Sequence, residues 1–171
     1  KLYLNSYNMD KIDLSISQLE DKLSKDLSNV IEDYVNVKVF STLERYDIKD
    51  NFYIIPSIES MFDLSDEVFD STSEDKTLIK EGHAFGDFFV KTSSLRSNCR
   101  VTNQPDWGDV YIKIITDEKG VDFKSILHYI ISMRSENHFH EEICELIYNR
   151  LHEFYKPKMI TISCLYTRRG G

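Results

Sequence analysis

The sequence predicts an α+β fold, an antiparallel sheet with helices packed on one face, and two observations carry that expectation. The element order helix, helix, strand occurs twice along the chain. Tyr3, Leu4 and Ser6 match Tyr129, Ile130 and Ser132 at one constant offset. The complete unit implied is a strand pair, two helices and a returning strand, with the helices segregated to one side. The expected division is 1–80 and 81–171, the first unit lacking its opening strands.

The elements follow in order. An amphipathic "KLYLNSY" opens the chain without a cap. Over 16–31, Ile16, Leu19, Leu23, Leu27, Val30 and Ile31 share one helical stripe with charges opposite. "VNVKVFSTL" (35–43) alternates as a strand, with Val35, Val37 and Val39 on one face. Residues 44–80 are acidic and irregular, with an apolar "FYII" (52–55) stopped by Pro56. Strands are expected at 83–93 and 109–116, helices at 121–134 and 141–155, and a closing strand at 158–166. Both ends, Lys1 and "RRGG", read as cuts within a longer chain.

Composition narrows the function. With 41% hydrophobic and 29% charged residues in 171, the chain can bury a core. A net charge of −8 argues against direct nucleic-acid binding, which needs clustered Lys and Arg. No apolar run approaches the roughly 20 residues that span a bilayer, and no signal-peptide pattern occurs. The three cysteines, Cys99, Cys144 and Cys164, form no CxxC pair and suit a reducing cytoplasm.

Three stretches carry candidate chemistry. "SNCRVTNQPDWG" (97–108) places Cys99 seven residues before Asp106 in a polar, turn-rich segment that does not read as a core strand. A thiolate is a strong nucleophile, and Arg96 and Arg100 beside Cys99 would favour it. Asp106 opposes thiolate formation by its charge but can serve as a general acid. The alternative is an inert loop cysteine with Asp106 in a turn led by Pro105. "ENHFHEE" (136–142) stands between two helices. Its acids suit a helix N-terminus; His138, His140 and Cys144 could ligate a metal; or Glu141 could accept from a purine-like N–H edge while His140 handles a proton. "YTRRGG" (166–171) suits a phosphate, or is an exposed basic tail. No GxGxxG or P-loop pattern occurs.

Taken together, "SNCRVTNQPDWGDVYI", "SENHFHEEICELIYNRL" and "LYTRRGG", in that order, resemble the NADPH-dependent 7-cyano-7-deazaguanine reductases, the nitrile reductases of queuosine biosynthesis. "KLYLNSYN" resembles the tail of that family's Glu-Ser-Lys-Ser-x-Lys motif, with Lys1 as its last lysine. The resemblance covers both ends and nearly all of 81–171, and 44–80 adds little to it. It implies the two-module form, tandem tunnelling-fold (T-fold) units, acting in the cytoplasm in tRNA modification as a homodimer. Cys99 would attack the nitrile to give a covalent thioimide, and Asp106 would protonate the nitrogen. His140 and Glu141 would hold the deazaguanine. Arg169 and Gly170 would contact NADPH, with Arg168 assisting. No metal is required. Two other classes compete: a cysteine-dependent purine or pterin hydrolase or cyclohydrolase, and a non-catalytic subunit that binds a purine-like ligand.

Overall fold

The computed structural model describes residues 14–39 and 55–167. The opening stretch 1–8, the end of the first expected strand at 40–43, most of "FYII", and Arg168, Arg169 and Gly170 lie outside the described residues. The chain divides into two compact units, Lys1–Asp50 and Asn51–Gly171.

In the first unit, helix α1 (Ile16–Ile31) starts at Ser15, which forms a capping box with Gln18. It ends at Glu32 in the left-handed conformation. Of the expected apolar stripe only Leu23 is buried among the described contacts, while Val30 is 79% exposed. Residues 34–39 form no strand ladder among the described residues. Their alternate amides at Val35, Val37 and Val39 instead donate to Ser28 Oγ, Ser24 Oγ and Glu20 Oε1, each at 2.9 Å. The match is geometric: two residues of extended chain rise about 6.6 Å, close to the 6 Å of four helical residues. Over its described part, 35–39, the strand expected here is an extended segment bonded to helix side chains.

The second unit is built on a long hairpin of β2 (Ala84–Cys99) and β3 (Pro105–Val121), preceded by a short β1 (Glu81–Gly82) paired to the end of β3. Helices α2 (Phe123–Ser132) and α3 (His140–Tyr155) follow, separated by β4 (Asn137–His138), which runs parallel to the end of β2. Strand β5 (Met159–Tyr166) returns antiparallel along the other edge of β3. The sheet is thus antiparallel apart from β4, and the α+β expectation holds. Alternation places Val110, Ile112 and Ile114 of β3 in the core. Against them pack Ile126, Leu127 and Ile130 of α2, and Ile143, Ile147, Leu151 and Tyr155 of α3, a stripe spaced by one turn.

Helix α2 is buried on nearly every side, so something must cover its outer face. Residues 55–80 do so: Ile58 and Ile79 join the core. Glu67 bonds His128 at 3.0 Å, and Glu74 accepts from Tyr129 and Arg150. This described part of the acidic stretch belongs to the compact unit Asn51–Gly171.

One irregularity governs the site. Thr92 pairs with Val110 and Leu95 with Gly108, so β2 carries one extra residue there, a β-bulge. Upstream, Val90 and Thr92 face the core; downstream, Leu95 and Ser97 do. The extra residue switches the inward parity from even to odd. Glu59 holds the bulge, accepting from the hydroxyls of Ser57, Thr92 and Ser94 and from the Ser93 amide.

Candidate active site

Cys99 is the last residue of β2 and is half-buried. The hairpin closes beyond it through bonds from Cys99 N–H to the Gln104 carbonyl and from Asn103 N–H to the Cys99 carbonyl, both 2.8 Å. Asn103 takes a left-handed conformation, φ 52°, which asparagine tolerates. On the outer edge, Asn98 N–H donates to the Glu136 carbonyl at 2.7 Å, and Cys99 pairs with His138 of β4. The segment 97–108, read from its polarity as a loop, is therefore strand except for a short connection. Its polar side chains are tolerated because they partner one another at the sheet end.

Ser97 stands directly opposite Asp106. Both are buried, Asp106 to 1% exposure. Asp106 Oδ2 lies 3.0 Å from His140 Nε2. His140 opens α3, and its ring stacks on Tyr166 with centroids 3.8 Å apart and planes 4° from parallel. The Tyr166 hydroxyl in turn lies 3.3 Å from Ser97 Oγ. Four side chains from β2, β3, α3 and β5 thus close a ring at the end of the sheet where β2 delivers Cys99. By the odd parity set at the bulge, Cys99 shares the face of Ser97 and Asp106.

The two expected arginines are placed differently. Arg100 donates to Glu142 at 2.8 Å and lies over the Phe139 ring. Arg96 pairs with Trp107 on the strand face opposite Ser97, is only 7% exposed, and donates to the Arg134 carbonyl. Burial, then the charge of Arg134, pulls its pKa below the usual arginine value. Neither arginine is committed to Cys99 alone.

Glu141 is exposed at the start of α3. Its neighbour Glu142, not singled out from the sequence, is the more engaged. It accepts from the Phe139 amide at 2.8 Å, pairs with Arg100, and lies 3.3 Å from His138 Nδ1. The Phe139 bond first, with the Arg100 and His138 charges assisting against burial, holds its carboxyl below the usual range. Glu142, at the third helical position after Phe139, could have been found as an amide acceptor for the helix start. Ser97 and Tyr166 open the stretches 97–108 and 166–171, but nothing in those stretches marks either side chain as a site residue.

A metal reading drew on His138, His140 and Cys144. His138 instead lies between Glu136 and Glu142, and His140 is bound to Asp106. Cys144 lies 3.8 Å from the Ile162 carbonyl and beside Cys164, whose thiol burial and Cys144 push well up. Among the described residues no three His, Cys, Asp or Glu side chains gather as a metal site. Nor, among them, is any helix long and apolar enough to cross a membrane. Arg169 and Gly170, expected to contact NADPH, lie outside the described residues. The chain leading to them is anchored here, because Thr167 N–H donates to the Trp107 carbonyl at 2.8 Å.

The sheet end that carries Cys99 thus also holds a buried aspartate bonded to a part-exposed histidine. Residues 105–171 match the family model described as "QueF-like protein". Over the whole chain, the sequence is 35% identical to the NADPH-dependent 7-cyano-7-deazaguanine reductase of Psychrobacter cryohalolentis, covering 62% of that protein. It is 34% identical to the protein of the same name from Rickettsia canadensis, covering 60%. The resemblance read from the sequence is borne out, and the chain spans about three-fifths of the length of these relatives. A solved structure, archaeosine synthase QueF-Like in the apo form, aligns with a TM-score of 0.44 at 16% identity, over 50% of this chain and 95% of that one.

Proposed function

We propose that this chain is part of an NADPH-dependent nitrile reductase that converts 7-cyano-7-deazaguanine to 7-aminomethyl-7-deazaguanine in queuosine biosynthesis. The observation that carries the reading is the Asp106–His140 pair, 3.0 Å apart, on the strand face and sheet end that hold Cys99. The named relatives support the substrate and cofactor.

Cys99 Sγ bonds to the nitrile carbon as one C–N π pair moves to nitrogen. The nitrogen takes a proton while the thiol loses one, so the addition to a thioimide is balanced. Asp106, coupled to His140, delivers that proton. The thioimide accepts hydride far better than the nitrile does, so the covalent step divides a hard reduction. NADPH, when bound, supplies a hydride in each of two rounds, and two further protons complete the amine and free Cys99. Arg169 and Gly170, with Arg168, would hold the cofactor phosphates. His140 and Glu141 hold the deazaguanine. Burial around Asp106 and Ser97 keeps water from the reacting carbon.

The chain carries two tunnelling-fold modules, over 1–80 and 81–171, and the enzyme is a cytoplasmic homodimer with no direct nucleic-acid contact. Phe85, Phe89 and Leu165 stand exposed on the sheet face away from the helices and support pairing through that face.

NADPH oxidation by the full-length protein tests the reading. It is expected only when 7-cyano-7-deazaguanine is present, with two NADPH consumed per amine formed. No oxidation with the nitrile contradicts it.

A further inference from the structure

We propose that Tyr166 is a positioning residue that fixes the His140 ring against Asp106, an inference that rests on the reductase reading above. The geometry begins at Gly108, which pairs with Tyr166 across β3 and β5. A Cβ at Gly108 would stand 3.0 Å from the Leu165 carbonyl oxygen and 3.2 Å from Tyr166 Cδ1. The glycine leaves the space that the Tyr166 ring occupies against the β3 backbone. From there the ring presents its flat face to His140, at 3.8 Å and 4°.

The other end of Tyr166 is anchored as well. Its hydroxyl meets Ser97 Oγ at 3.3 Å, on the residue directly opposite Asp106. Burial outweighs the opposing pull of Ser97 and pushes the phenol pKa well up, so the ring stays neutral.

A hydrogen bond at Nε2 fixes the direction of an imidazole but not its plane, and its terminal torsion is broad. His140 is 41% exposed, so packing on its solvent side does not restrain it. The stack supplies the missing constraint. Tyr166 touches neither the nitrile nor the thiol; it acts through His140.

Two substitutions in the full-length enzyme separate the stack from the hydroxyl. Tyr166→Phe keeps the ring and loses the bond to Ser97, whereas Tyr166→Leu loses the ring. The first readout needs no substrate: the carbon-bound His140 ring protons, shifted upfield by the stacked ring in NMR spectra. The shift should persist in Tyr166→Phe and disappear in Tyr166→Leu. The second is the rate of Cys99 adduct formation with 7-cyano-7-deazaguanine, NADPH withheld. Tyr166→Phe should stay within about twofold of the unmodified enzyme. Tyr166→Leu should slow by about tenfold to 100-fold, the scale of a misplaced catalytic group.

In an Asp106→Asn background that penalty should largely vanish, since both changes disable one pair. A purely structural loss would persist there and overturn the proposal. A native adduct rate in Tyr166→Leu, or equal slowing in both single variants, also overturns it. An unmodified enzyme that forms no adduct defeats the reductase reading and the proposal with it, an outcome distinct from a native-rate Tyr166→Leu variant.

Discussion

Asp106 Oδ2 and His140 Nε2 are 3.0 Å apart, joining the first turn of α3 to the buried start of β3. The contact links a buried carboxyl to a ring that is 41% exposed.

Asp106→Asn should bind the nitrile but slow thioimide formation by roughly two orders of magnitude or more, the scale of general acid catalysis. Rapid-mixing measurement of adduct formation reads this directly. Near-native rates would leave Asp106 a purely structural partner of His140.

The adjacent acids of α3 should separate cleanly. Glu141→Gln should weaken binding of 7-cyano-7-deazaguanine by about 1.5–3 kcal/mol, the range for hydrogen bonds to charged groups, with little change in Tm. Glu142→Ala should lower Tm, because it removes the acceptor for the Phe139 amide and the partner of Arg100. Calorimetric binding and thermal melts on both variants check the pattern. Unchanged affinity in Glu141→Gln removes that residue from the site.

Glu59 should make stability depend on pH. Burial, the largest effect on its carboxyl, favours the neutral form, but bonds from Ser57, Ser94 and Thr92 together outweigh it and hold the pKa below the usual range. A depressed folded-state pKa stabilises the protein above the unfolded value of about 4.3, and that contribution fades as pH falls through the folded value. Glu59→Gln should therefore cost about 1–3 kcal/mol at pH 7, and the gap should narrow below about pH 4.3. Urea denaturation at both pH values measures it. A gap that is absent at pH 7, or unchanged in acid, contradicts the clamp.

Much of this was legible from local pattern. The alternation through Val110, Ile112 and Ile114 marks β3, and helices at 121–134 and 141–155 differ from α2 and α3 mainly at their ends. The strand ends were not legible, because Ser97 and Asp106 read as loop polarity until their cross-strand partners are known. The bulge at Thr92–Leu95 also escapes a period-two reading, since one inserted residue reverses which side chains face inward. For 35–39 the alternation was real, but the amides found helix side chains instead of a neighbouring strand. The cover over α2 and the stack of Tyr166 on His140 join distant segments, so no local window contains them. Residue type and spacing mark Cys99, Asp106 and His140 in the sequence; only the fold brings Asp106 and His140 together.

The most direct measurement is to incubate the full-length protein with 7-cyano-7-deazaguanine, withhold NADPH, and map the product by peptide mass spectrometry. One covalent adduct, on Cys99 and lost in Cys99→Ala, is the predicted result. An adduct on Cys144 or Cys164, or none on any cysteine, would contradict it.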